Sequence, residues 1–206
     1  MTISVITGDI IKSRNQSDPN LWIKTLKNAL YFLSPDKKYW DIFRGDSFQL
    51  EYKNFPESFK AATYLKACVK SINGLDVRLA IGIGNKTFEG SSVSESSGEA
   101  FIYSGETLET LKKEKQNLRI KSKYSELDYE LNLYFRLALI AMDNWTTNSA
   151  EIVKLYIENP KALQSELGNI IGINQNAVSM RQKRAHLDEI IALDNLYKEK
   201  MATYLI

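Results

Sequence analysis

The chain has 206 residues, 44% of them apolar, enough to bury a core and to leave room for one large domain or for one domain with a smaller second. Its 27 Lys and Arg against 25 Asp and Glu give a formal charge of +2, so no global field draws it to nucleic acid or anionic lipid, and such a partner has to be met by a local patch. A single cysteine, Cys68, excludes a disulfide framework and a thiolate metal cluster, and the longest apolar run, Leu137 to Met142, is far short of the roughly 18 to 20 residues that span a bilayer. The stretch from Met1 to Asp9 lacks the basic and apolar regions of a secretory leader. The expectation is a cytoplasmic protein with no membrane insertion.

Ile3 to Thr7 is short and β-branched and reads as a strand that Gly8-Asp9 should stop. Leu21 to Leu33 places Leu21, Leu26, Leu30 and Leu33 at helical spacings. Tyr39 to Phe43 and Phe48 to Tyr52 are aromatic-rich strand-like runs around Arg44-Gly45-Asp46-Ser47, whose glycine suits a tight reversal, so a hairpin is predicted. Pro56 to Ile72 is helical, with Phe59, Ala62, Leu65, Ala67 and Val69 on a broad apolar face, and Val77 to Ile83 is a further strand. The order β-α-β-β-α-β predicts an α+β fold of ferredoxin-like type, an antiparallel sheet with both helices on one face.

From Asn85 to Ser104 turn chemistry replaces periodicity, which predicts a long loop. Loops of that length in compact domains are often functional, so Ser94, Glu95, Gly98 and Glu99 become candidate ligand contacts. A short helix over Thr107 to Lys113 and a strand over Leu118 to Lys121 follow. Leu127 to Trp145 reads as a helix too apolar to lie free in water. The domains expected are residues 1–125, a connecting helix over 126–145, and an all-α unit over 146–206.

In that last unit Thr146 to Ser149 offers a cap for a helix through Glu158, and Asn159-Pro160 ends it. A second helix covers Ala162 to Ile171, and Gly172 stops it. Asn174 caps a third helix expected to contain Ala177, Val178, Met180 and Leu187. This tri-helical spacing predicts a helix-turn-helix, in which Gly168 lets two helices approach and Gly172 permits the bend. An ordinary helical hairpin used for packing shares the pattern. In a DNA-binding module the third helix enters the major groove, so the candidates for DNA contacts are the outward Gln175, Asn176, Ser179, Met180 and Lys183 together with the cap residue Asn174, with Arg181 and Arg184 for phosphates. Three cations bind weakly, so DNA occupancy needs a homodimer or a second surface. His186 reads as a polar surface residue.

In this topology the first strand lies antiparallel to the third, so Asp9 comes beside Asp46 at the hairpin tip. Two carboxylates without histidine or cysteine suit Mg²⁺ bridging the phosphates of a nucleotide or another phosphorylated small molecule, with Lys12, Arg14 and Arg44 as nearby positive groups. Asp is also favoured in turns for purely local reasons.

These residues carry a resemblance. Val5-Ile-Thr-Gly-Asp-Ile10 and Phe43-Arg-Gly-Asp-Ser-Phe48 look like the two metal-binding segments of the palm domain of class III nucleotidyl cyclases. Arg78-Leu-Ala-Ile-Gly-Ile-Gly84 and Gly105-Glu-Thr-Leu108 resemble later segments. Thr7 to Arg14, Phe43 to Gln49, Ala80 to Gly84, Ser94 to Phe101 and the terminal helix-turn-helix together are similar to the SatD-like bacterial proteins, over nearly the whole chain. The cyclase likeness implies Asp9 and Asp46 as metal ligands. It departs where cyclases place an Asn and an Arg, since Glu109 and Lys113 stand there, and a carboxylate would repel the developing negative charge.

Three functional classes follow. The first is a DNA-binding transcription regulator whose first domain senses a Mg-nucleotide or similar ligand. The second is a Mg²⁺-dependent enzyme acting on nucleoside triphosphates. The third is a non-catalytic adaptor, against which the polar Gln175, Asn176 and Ser179 argue.

Overall fold

The structure, a computed structural model, describes residues 1–204 other than Ser17 and Arg44, with Asn15 described in its backbone alone. Strand β1 (Thr2–Ile11), helix α1 (Pro19–Leu33), strands β2 (Trp40–Phe43) and β3 (Ser47–Tyr52), helix α2 (Ser58–Lys70) and strand β4 (Asp76–Phe88) follow in the expected order. Their sheet runs β2-β3-β1-β4 and is antiparallel throughout. The class is α+β, as read from the sequence.

β1 is buried on both faces, which is why its sequence is a near-continuous apolar run. Ile6 and Ile10 join the main core with Trp22, Leu26 and Leu30 of α1 and Phe59, Ala62 and Leu65 of α2. Burial of each large aliphatic side chain contributes roughly 1.5–3 kcal/mol. Asp18 starts α1, its side chain accepting from the Asn20 N–H, with Pro19 at the first helical position where no N–H is needed. Gly8 does not stop β1, contrary to expectation. A Cβ there would lie 2.2 Å from the Phe48 ring, so this glycine makes room for an aromatic neighbour while the strand continues to Ile11.

The expected loop from Asn85 to Ser104 is largely ordered structure. β4 runs to Phe88, Ser97–Gly98 form a short strand β5 against it, and helix α3 (Glu99–Glu114) begins eight residues before the predicted Thr107. The apolar spacing of α3 is sparse because it packs through small residues. A Cβ at Gly82 would meet the Ala100 carbonyl at 2.2 Å, and one at Gly84 would meet Glu99 Cβ at 2.6 Å. α3 thus covers the sheet face opposite α1 and α2, where Ala100 packs on Ile3 and Val5, and Leu108 and Leu111 pack on Ala80. Strand β6 (Leu118–Lys121) then joins β4 in parallel, the crossover supplied by α3.

Helix α4 (Ser125–Met142) returns on the first face, burying Leu127, Leu131, Phe135, Leu139 and Met142, and Phe135 stacks on Phe59 at 5.0 Å. Helices α5 (Thr147–Glu158), α6 (Gln164–Ile171) and α7 (Gln175–Arg184) form the tri-helical unit, and α8 (Leu187–Tyr204) closes the described chain. Leu187 belongs to α8 and not to the third helix as expected, because His186, at φ 53°, breaks the chain between them. One apolar core runs from the sheet through α2 into Ile152, Val153, Leu167, Val178 and Tyr197. Among the described residues no helix is long and apolar enough to cross a membrane.

Candidate functional site

The end of β1 meets the β2–β3 hairpin as the topology requires. Asp9 pairs in register with Ser47, and the Ile10 N–H donates to the Asp46 carbonyl at 2.9 Å. Asp9 and Asp46 line one open cleft of about 560 Å³ together with Lys12, Arg14, Arg78 and Lys112. Ser47 Oγ donates to Asp9 Oδ1 at 3.2 Å, Arg78 Nη1 lies 3.5 Å from Asp9 Oδ2, and Ser13 Oγ donates to Asp46 Oδ2 at 2.9 Å. Lys12 turns the chain out of β1 at φ 65°, left-handed backbone that costs a non-glycine residue on the order of 1 kcal/mol. Arg44 lies outside the described residues.

Asp9 and Asp46 present hard oxygen donors, and among the described residues no group of three or more His, Cys, Asp or Glu side chains gathers to hold a metal. Such a pair fits Mg²⁺ that arrives with its phosphates and keeps several waters, and does not fit a cage built wholly of protein ligands. The surrounding ammonium and guanidinium groups match phosphate oxygens. Among the described residues Arg78 Nε is buried without a hydrogen-bond partner, a donor beside the cleft.

A second cleft of about 620 Å³ shares Ile11, Lys12, Arg78 and Lys112 with the first and extends to Lys70, Asp143 and Trp145 at the α4–α5 junction. Lys66, with no exposed surface, lies 2.7 Å from both Asp76 and Asp143. Lys70 reaches Asp76 at 3.2 Å and donates to the Asp143 carbonyl at 2.8 Å. Two cations and two carboxylates balance there, and removing one partner of such a buried pair typically costs about 3–5 kcal/mol. Two residues on, Trp145 Nε1 donates to the Ala185 carbonyl at 2.8 Å, at the end of α7. The wall of the cleft is therefore bonded to the end of the third helix.

Ser94, Glu95, Gly98 and Glu99 are not brought to this cleft. Asn85 pairs with Thr2 and Arg78 with Asp9, so the loop stands at the other end of β1, seven residues or roughly 23 Å away. Its groups serve the loop itself. The Ser91 hydroxyl and N–H hold the Glu95 carboxyl below its ordinary range, Ser94 Oγ meets Ser92 Oγ at 3.0 Å, and Glu99 accepts from the Asn85 N–H at 3.0 Å. Gly98 at φ 150° admits no Cβ, which would lie 2.3 Å from the Asn85 carbonyl.

In the tri-helical unit Gly172 takes φ 71° and a Cβ at Gly168 would lie 2.4 Å from the Ile173 carbonyl, so the turn between α6 and α7 needs both glycines. Asn174 accepts from the Ala177 N–H at 2.9 Å and caps α7 as expected, which engages its side-chain oxygen within the helix. Arg181 is bound to Glu151 of α5 at 2.6 Å with its side chain 19% exposed, so it ties the helices together. Gln175, Asn176, Ser179, Lys183 and Arg184 are exposed. Gln175, Asn176, Ser179 and Lys183 fall within about 100° of the α7 surface, one face of the helix.

Arg78 and Lys112 escaped the sequence reading. The register that sets Arg78 opposite Asp9 is a long-range property, and Lys112 reaches the cleft because α3 lies on the face where no helix was expected; Lys113 does not line it. Cys68 is no nucleophile candidate, since burial pushes its thiol up to about 12. No family model, curated protein or solved structure matches the chain, and the case for function rests on its own chemistry.

Proposed function

We propose that the chain is a cytoplasmic DNA-binding regulator whose α+β part senses a phosphorylated ligand, a Mg²⁺-nucleotide by the chemistry of the cleft, and whose tri-helical unit reads DNA. The observation that carries this is the outer face of α7. Its amide and hydroxyl groups at Gln175, Asn176 and Ser179 are exposed beside Lys183 and the half-exposed Met180, while Val178 is fully buried. An adaptor helix would present apolar groups there, and amide side chains are the ones that pair with adenine edges. Coupling follows the bonded route from the cleft through Asp76, Lys66 and Asp143 to Trp145 and Ala185.

The test is salt-titrated binding to a pool of random duplex DNA. The wild-type chain binds at about 50 mM salt, and Lys183→Ala with Arg184→Ala makes the slope of log affinity against log salt shallower by about 2, since each phosphate contact contributes roughly 0.9. No binding at that salt, or an unchanged slope in the double variant, overturns the reading.

A second reading, a Mg²⁺-dependent enzyme acting on nucleoside triphosphates, is favoured by Asp9 and Asp46 sharing one cleft with Arg78 and Lys112. Turnover that Asp46→Asn removes while DNA binding persists would establish catalysis at the cleft.

A further inference from the structure

Helices α4 and α8 run antiparallel. Lys200 pairs with Glu130 at 2.6 Å toward one end, and Tyr124 meets Tyr204 at 5.8 Å beyond it. At the other end Ile140 and Ala141 face His186 and Glu189 across an open groove of about 540 Å³ that Leu137, Leu193 and Leu196 make almost wholly apolar. The groove continues into the outer face of α4, where Tyr129, Leu133, Leu137 and Ile140 recur at spacings of four, four and three residues, the period of one helical stripe. They are 74, 39, 57 and 69% exposed.

A stripe of this extent matches the largest apolar patch of a monomer surface, which is often an interaction site. We propose that it is the contact between two copies of this chain, each giving α4 and α8 to a four-helix bundle. The area agrees with that occupant. A standard interface covers about 800 Å² of each partner and is roughly 60% apolar, so about 480 Å² of apolar surface is needed per copy. The four stripe residues supply most of it, on the order of 100 Å² each, and the α8 wall the remainder. The charges at its edges are self-complementary. Arg136 stands exposed on the α4 side and Glu189, 73% exposed, on the α8 side, so a two-fold axis sets cation against acid in both directions. Because α8 follows α7 directly, this contact also joins two DNA-reading units and doubles a phosphate margin that Arg181 has left.

Sedimentation of the full chain from about 1 to 100 µM, a range reaching the weak end of standard interfaces, tests this. The wild-type chain sediments as a dimer with a concentration-dependent Tm. Leu137→Asp with Ile140→Asp sediments as a monomer with unchanged helical circular dichroism, while Ile170→Asp, at an exposed position on α6, leaves the dimer intact. Independently of any dissociated variant, Ile140→Cys is cross-linked to a covalent dimer by a short bismaleimide, Cys68 being buried. A wild-type monomer throughout the range, a dimer that survives the double substitution, dissociation by Ile170→Asp, or no cross-link overturns the proposal.

Discussion

Lys66 has no exposed surface although it stands in the middle of a helix whose sequence shows a polar position there. The periodicity of α2 displayed its apolar face but not the burial of the opposite one, because the sheet covers one side and α5 the other, and only tertiary packing brings Asp76 and Asp143 to the ammonium. Asp9 and Asp46 were legible for the converse reason: one lies near the end of β1 and the other in the β2–β3 turn, and their meeting follows from strand order alone. Cys68, one turn on from Lys66's neighbours in the same helix, makes the burial measurable. Its raised value means that the folded chain keeps a proton which the unfolded chain gives up near pH 9, so stability tied to this thiol is complete below that pH and falls as pH rises further. Maleimide labelling of the native chain at pH 9 is expected to be at least ~100-fold slower than in urea. Equal rates would show that the thiol is open to solvent. Cys68→Ala should remove the part of the alkaline loss that begins near pH 9, leaving the later part due to Tyr64 and Tyr197, whose hydroxyls burial also pushes up.

Among the elements, the strands and helices with strong periodicity were visible in the sequence, β2 and β3 to within a residue and β6 with its observed bounds. α3 was half hidden because glycine and alanine set its packing, and its first turns carry Ser, Gly and Glu that read as loop. The α6–α7 turn was readable because its glycines are required at particular places. Gly168→Ala forces a Cβ against the Ile173 carbonyl and should destabilise the chain by about 1–3 kcal/mol in urea unfolding while weakening DNA binding. A fully stable variant would mean that the two helices do not approach so closely. What the elements hid was side-chain occupancy. Arg181 looked like a DNA contact in sequence, yet it is held by Glu151, and Asn174 is engaged as the cap that the sequence also offered. Under the proposed function Gln175, Asn176, Ser179, Lys183 and Arg184 are therefore the groups left for a duplex.

For the whole molecule, one core joins the sheet to the tri-helical unit, and the cleft at Asp9 and Asp46 opens along Lys12 and Arg78 to Asp143 and Trp145. Under the proposed function an occupied cleft would bear on the bonds that hold the end of α7, and regulation would require the ligand to bind the two states of the DNA-reading unit with different affinity. The direct test is duplex DNA affinity with and without Mg²⁺ and inorganic triphosphate, in the wild-type chain and in Asp46→Asn. The account predicts a change of at least ~5-fold in the wild type, the low end of typical coupling, and none in the variant, whose DNA affinity without ligand is unaltered. An affinity that ignores Mg²⁺-triphosphate in both proteins would contradict it.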